Sequence, residues 1–143
     1  MDAATILKSK GGEVHSVRPD HTLEEAARIL ADHGIGCLVV SERPGEMLGI
    51  LSERDIVREI ALGGAGRLKS HVADAMTRAV FSCRPSDTID ELLGMMTTRR
   101  HRHIPVVESG ALIGLVSIGD VVKLRLAEAE METAAMRAYI TTG

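Results

Sequence analysis

The spacing of apolar and polar residues runs through a fixed series of periods, and the series occurs twice. Residues 13–19 alternate apolar and polar, as a half-buried strand does, and close on Arg18-Pro19. Thr22-Leu23-Glu24-Glu25 follows, a T-x-x-E pattern whose hydroxyl and carboxylate satisfy the first amides of a helix. Leu23, Ala26, Ala27 and Leu30 then recur at i, i+3, i+4 and i+7, the buried face of that helix, with His33-Gly34 as its stop. Cys37-Leu38-Val39-Val40 is a continuous apolar run of the kind a fully buried strand shows. Pro44-Gly45 turns the chain, residues 47–51 make the next strand, and residues 52–55 open a helix through Ile56, Val57 and Ile60 to Gly63-Gly64.

The series restarts at residues 80–85, which end on Arg84-Pro85 as the first copy ends on Arg18-Pro19. Thr88-Ile89-Asp90-Glu91 repeats the cap, Ile89, Leu92, Leu93 and Met96 repeat the helix face, and residues 103–107 and 111–116 repeat the two strands. The offset is 66 residues up to the buried strand and 65 after it, so the first copy carries one extra residue in its Pro44-Gly45 turn. A single loop insertion in constant register is what duplicated units tolerate. Each unit reads β-α-β-β-α, an α/β (α+β) class of fold.

Two short entry helices precede the units, residues 3–8 ended by Gly11-Gly12 and residues 71–76 after a Gly-rich linker at 63–70. The expected division is 1–66, 67–127 and a helical extension at 128–143, the last helix continuing to about Tyr139. Leu124, Ala127, Met131, Ala134 and Ala138 fall on a roughly heptad stripe along it. That stripe packs either on its own domain or on a partner helix; a small domain has little left to cover it, which favours the partner.

The chain has 143 residues, 45% of them hydrophobic and 26% charged. A unit near 60 residues is marginal alone, so two halves must share a core. Phe81 and Tyr139 are the only aromatics beside zero Trp, so bases have no rings to stack on, and a net charge of −3 lacks the basic footprint of a duplex binder. No nucleic-acid partner is expected. Cys37 and Cys83 form no CxxC pair and read as buried reduced thiols. The N-terminus has no secretory pattern and no apolar run reaches about 18 residues. The expectation is a cytoplasmic chain without a membrane partner.

The chemistry concentrates in Gly49-Ile50-Leu51-Ser52-Glu53-Arg54-Asp55 and its echo Gly114-Leu115-Val116-Ser117-Ile118-Gly119-Asp120. Ser-x-x-Asp before a helix is an ordinary N-cap with an acid in the first turn, and duplicated helices need duplicated caps. The same groups can also bind. A carboxylate accepts hydrogen bonds from two vicinal hydroxyls, each charge-assisted bond contributing about 1.5–3 kcal/mol. The helix N-terminus beside it offers amides to phosphate.

Tandem β-α-β-β-α units, each with a G-h-h-[ST]-x-x-D motif at the last strand-to-helix junction, resemble the CBS domain pair, or Bateman module. The second copy also has the strand Ile104-Pro105-Val106-Val107 common in that family. The resemblance covers about residues 3–127 and implies two units packed sheet-to-sheet about a pseudo-twofold axis, with clefts for AMP, ATP or NAD(H). Carried over by motif position, Asp55 and Ser52, and Asp120 and Ser117, would take ribose hydroxyls or phosphate. Ile104 and Pro105, with Leu38 and Val39 in the other repeat, would hold adenine. The implied protein is a stand-alone regulatory module, AMP its first expected ligand, a homodimer that signals to a dimer mate or an unidentified protein effector.

The copies differ where phosphate would be read. Arg54 precedes the first motif acid and Gly119 the second. Arg99-Arg100-His101-Arg102-His103 leads into the second buried strand, where the first has His33-Gly34-Ile35-Gly36-Cys37. Arg102, with Arg100, is a candidate phosphate contact, and His103 lies beside them; the rival reading is a solvated charged turn. His101 and His103 lack an evident third ligand, so no metal is assigned. Lys8 and Lys10 could reach a phosphate, though exposed lysines are usually only solvated. No catalytic residue is assigned: the sequence has no P-loop, no H-E-x-x-H and no carboxylate cluster suited to metal-assisted hydrolysis. The alternatives are a structural oligomerisation module with vestigial sites, or a small nucleotide hydrolase.

Overall fold

The computed structural model describes residues 1–142. Helix α1 (Ala3–Lys10) starts on a reciprocal cap, Asp2 Oδ1 accepting from the Thr5 amide while Thr5 Oγ1 accepts from the Asp2 amide, and ends at Gly11, whose φ is 89°. The first repeat then gives β1 (Ser16–Val17), α2 (Leu23–His33), β2 (Cys37–Val40), β3 (Gly49–Ser52) and α3 (Glu53–Gly63). These three strands form one sheet in the order β1-β2-β3, with β1 parallel and β3 antiparallel to β2. All four β2 residues are buried, as their unbroken apolar run requires for a central strand covered on both faces. Leu23, Ala26 and Leu30 of α2 pack on Leu38, Val40 and Leu51 of the sheet.

Residues 63–70, expected as a linker, are ordered. A 3-10 helix spans Ala65–Lys69, and Arg67 pairs with Glu59 at 2.6 Å. The second entry helix is a single turn, α4 (Val72–Ala75). The second repeat supplies α5 (Ile89–Arg99), β4 (His103–Glu108), β5 (Ala111–Ser117) and α6 (Ile118–Thr142), with β4 and β5 forming a two-stranded sheet. Ser109 and Gly110 both take positive φ, 53° and 79°, the conformation of a two-residue hairpin turn. The first repeat opens instead into its Pro44-Gly45 loop.

The expected strand at 80–85 is not a strand. Only Cys83 pairs, through a single parallel bridge to Val106. The strand expected at 13–19 shrinks to two residues in the same way. The ladder stops because the next amide is claimed by a side chain three residues on: Arg84 N donates to Asp87 Oδ2 at 2.8 Å, and Arg18 N to His21 Nδ1 at 3.3 Å. The T-x-x-E caps are half realised as well. Thr22 and Thr88 accept from the Glu25 and Glu91 amides, but neither glutamate returns the bond.

Packing divides the chain differently from the repeat. One compact unit holds Met1–Gly12, Ser82–Glu108 and Gly114–Gly143; the other holds Glu13–Phe81 and Ser109–Ile113. Each repeat therefore carries the other's entry helix. In the first unit Ala3 N and Ala4 N donate to Asp87 O and Pro85 O; in the second, Val72 N and Ala73 N donate to His21 O and Pro19 O. The motif glycines are where these helices seat. A Cβ at Gly49 would lie 2.7 Å from Thr77 O, and one at Gly114 would lie 2.5 Å from Leu7 Cδ2.

Helix α6 runs to Thr142, slightly past the expected end near Tyr139. Val121 is buried and Leu124 and Ala127 half-buried, while Met131, Ala134 and Ala138 are exposed. Among the described residues no helix is long and apolar enough to cross a membrane.

Candidate functional site

Both copies of the duplicated motif fold into a strand-to-helix junction with a reciprocal cap. In the first, β3 delivers Ser52 as the N-cap of α3: Ser52 Oγ accepts from the Asp55 amide at 3.3 Å, and Asp55 Oδ2 accepts from Ser52 N at 2.8 Å. Ser52 Oγ lies 3.1 Å from the same carboxylate oxygen. In the second, Asp120 N donates to Ser117 Oγ at 3.1 Å and Ser117 N to Asp120 Oδ2 at 2.9 Å. The full box is thus closed at the two motif acids and not at the two T-x-x-E sites. Aspartate's shorter side chain holds its carboxylate over the cap, whereas Glu25 instead lies beside His21.

The two acids differ in surroundings. The Asp55 side chain is only 8% exposed, and Arg58, one turn along α3, pairs with its Oδ1 at 2.5 Å. Asp120 is 23% exposed and pairs with Lys10, the last residue of α1, at 2.7 Å. Lys10 Nζ also donates to Leu115 O at 3.0 Å. Burial pushes the Asp120 carboxyl up, but the bonds from Lys10 and from Ser117 outweigh it and hold the pKa below 3.8. Lys10 is therefore not merely solvated; Lys8 is exposed. Arg58 was legible as a cation three residues from an acid on a helix. The Lys10 contact crosses most of the chain and had no local signal.

Arg54 is exposed on the first turn of α3, and Gly119 holds the equivalent place on α6. The basic pentad meets the second junction through its backbone. Ile118 N, the first amide of α6, donates to Arg102 O at 2.8 Å, as Glu53 N donates to Gly36 O at 2.9 Å in the first repeat. The 117–120 junction is thus approached by Arg102 where the 52–55 junction meets glycine. Arg100 caps α5 in the left-handed region, φ 57°, at the place where Gly34 takes φ 62°. Arg100, Arg102 and His101 are exposed and His103 is half-buried.

The four expected adenine contacts, Leu38, Val39, Ile104 and Pro105, are all buried, and Leu38 belongs to the core of its own repeat. Cys37 and Cys83 are buried, with no disulfide. Burial, then a nearby acid (Asp55 and Asp87 respectively), pushes each thiol up to about 12, so neither is a nucleophile at neutral pH. Among the described residues no cluster of three or more His, Cys, Asp or Glu side chains could hold a metal ion. A groove of about 570 Å³ between α2 and α3 is lined by Leu30, Ile35, Ile56 and Val57, with Glu53 its only motif residue.

The CBS domain family model matches residues 7–62 and 72–127. A CBS-domain-containing protein from Agrobacterium tumefaciens, solved by crystallography, is similar at 45% identity and TM-score 0.85, over 87% of this chain and 99% of that one. The mitochondrial CBS domain-containing protein CBSX3 of Arabidopsis thaliana is 35% identical, over 96% of this chain and 71% of its own. The CBS domain pair of protein MJ0100, crystallised with 5′-methylthioadenosine and S-adenosyl-L-methionine, shares the fold at TM-score 0.78 and 22% identity, over 90% of this chain and 98% of that one. With two matched copies and the fold of solved pairs, the chain belongs to the CBS domain family as a tandem CBS pair.

Proposed function

We propose that the chain is a regulatory module that binds an adenosyl ligand at its two Ser-x-x-Asp junctions and signals through a change of conformation. The observation that carries this reading is the reciprocal cap itself, since each junction fixes a carboxylate at a helix N-terminus, a diol acceptor next to the positive end of the helix dipole where phosphate would sit. The solved pair with methylthioadenosine and S-adenosylmethionine supports the ligand class. Lys10 and Arg102 at the second junction, with Arg100 two residues before Arg102, favour a phosphorylated member, AMP before ATP or NAD(H). In this reading adenine lies against the strands that carry Leu38, Val39, Ile104 and Pro105, whose side chains are buried. The module has no catalytic role of its own; it works in the cytoplasm and passes its signal to a dimer mate or a protein effector. Exposed Val57 and Leu62 on α3 and Met131 and Met136 on α6 support a second copy as partner. Couplings of this kind are about 1–3 kcal/mol, a roughly five- to 150-fold change in partner affinity.

A second reading, a structural oligomerisation module, is favoured by one observation: both acids already hold a cation of the chain itself. Mass spectrometry of nucleotide co-purifying with the chain, with thermal melting in AMP, ATP, NAD, NADH and S-adenosylmethionine, separates the two. Sensing predicts stabilisation by at least one adenosyl compound. Stabilisation by none supports the structural module, and release of phosphate or nicotinamide during long incubation supports an enzyme.

A further inference from the structure

The two motif acids are not equally able to receive a diol. A carboxylate offers about four lone-pair sites. At Asp55 three are taken: Oδ2 accepts from Ser52 N and Ser52 Oγ, and Oδ1 accepts from Arg58. Asp55 itself is nearly covered, while the Arg58 guanidinium that lies on it is 59% exposed. At Asp120 the bonds from Ser117 N and Lys10 Nζ both fall on Oδ2, and the Ser117 hydroxyl also lies against the carboxylate. Its Oδ1 accepts no bond from any described residue. The residue of α6 matching Arg58 is Lys123, which forms no ion pair with Asp120.

We infer that Arg58 is a resident competitor for Asp55, so that the Asp120 junction fills first and the Asp55 junction fills only when the guanidinium swings away. The inference rests on the adenosyl-binding reading above and deepens it by assigning the order of filling to one side chain. Arg58 is well placed for this. It is held by a part-exposed pair on the surface of α3, so its release costs little in fold, yet it stands on the oxygen a diol needs. The competition is with the ribose and not with the phosphate. Adenosine and AMP therefore both feel it.

The test is calorimetric titration of the full chain and of Arg58→Gln with adenosine and with AMP, with Asp120→Asn identifying the first class of site. The wild type is expected to show a tighter class lost in Asp120→Asn and a weaker class. In Arg58→Gln the weaker class should tighten about two- to fivefold for both ligands, the size of one part-exposed charge pair, with the tighter class unchanged. A weaker class that does not move in Arg58→Gln, or that stays undetectable there, overturns the inference. A fall in AMP affinity alone, with adenosine unaffected, also overturns it by making Arg58 a phosphate reader. If neither protein binds either ligand, the adenosyl reading itself falls and takes this inference with it.

Discussion

Lys10 Nζ lies 2.7 Å from Asp120 Oδ2, bridging residues 110 apart in the chain, and its second bond goes to the carbonyl of Leu115. The matching carbonyl of the first repeat, Ile50 O, is instead taken by the backbone amide of Thr77 at 2.9 Å. The difference follows from the entry helices. Helix α4 stops after one turn, leaving Thr77 extended alongside β3, whereas α1 runs eight residues and the long side chain at its end reaches the Leu115 carbonyl of β5. One repeat seats its entry segment by a backbone bridge and the other by an ammonium on the motif acid.

That ammonium makes stability at the second junction pH-dependent in a defined direction. The Asp120 carboxyl titrates below its ordinary 3.8 in the folded chain, so its contribution is complete above that value and is lost as pH falls through the lower, folded one. Urea unfolding of ligand-free wild type and Asp120→Asn should show a constant gap from about pH 5 to 7 that closes below about pH 4. A gap that widens on acidification contradicts the assignment.

Alanine at the two motif glycines should give unequal penalties. At Gly49 the new Cβ meets the backbone oxygen of Thr77, which cannot move without breaking the Ile50–Thr77 bridge. At Gly114 it meets the end of the Leu7 side chain, which can rotate. Gly49→Ala should cost about 1–3 kcal/mol in denaturant unfolding and Gly114→Ala less, with Leu7→Ala relieving the Gly114→Ala strain but not that of Gly49→Ala. Equal penalties would show that the entry helices do not set the glycine requirement.

Arg100→Gly should raise thermal stability. Arginine in the left-handed region costs about 1–2 kcal/mol, part of which glycine returns through the greater freedom of the unfolded chain, leaving a net gain of about 0.5–1 kcal/mol. Differential scanning calorimetry measures it. If Arg100 reads phosphate, the same variant weakens AMP binding while leaving adenosine binding alone; a loss of stability would show that the Arg100 side chain is instead structural.

Truncation after Glu128 keeps the Arg125 pairs with Asp90 and Glu128, and the described residues it removes, 129–141, are exposed. Melting should be unchanged, and if the chain dimerises through α6, as proposed, solution mass should fall from dimer to monomer. An unchanged dimer places that contact on the exposed apolar side of α3.

The repeat was legible because its signals are local: cap, helical face and buried strand recur at fixed offsets, and Leu23, Leu30, Ile89 and Met96 are buried where the periodicity put them. The first strand of each repeat was overread because alternation says nothing of whether the next amide is free, and His21 and Asp87 claim it. The Ser-x-x-Asp motif announced both acids and their caps. It was silent on what else holds them, since Lys10 reaches Asp120 only through the exchange of entry helices, and the glycines that open each motif draw their purpose from that same exchange.

The central claim is that these caps are binding sites, and calorimetric titration of AMP into wild type and Asp120→Asn tests it most directly. The account predicts measurable binding to the wild type, weakened about tenfold or more in Asp120→Asn, which keeps its fold by circular dichroism. Equal binding by the two proteins, or no binding of AMP or any other adenosyl compound to the wild type, would contradict it.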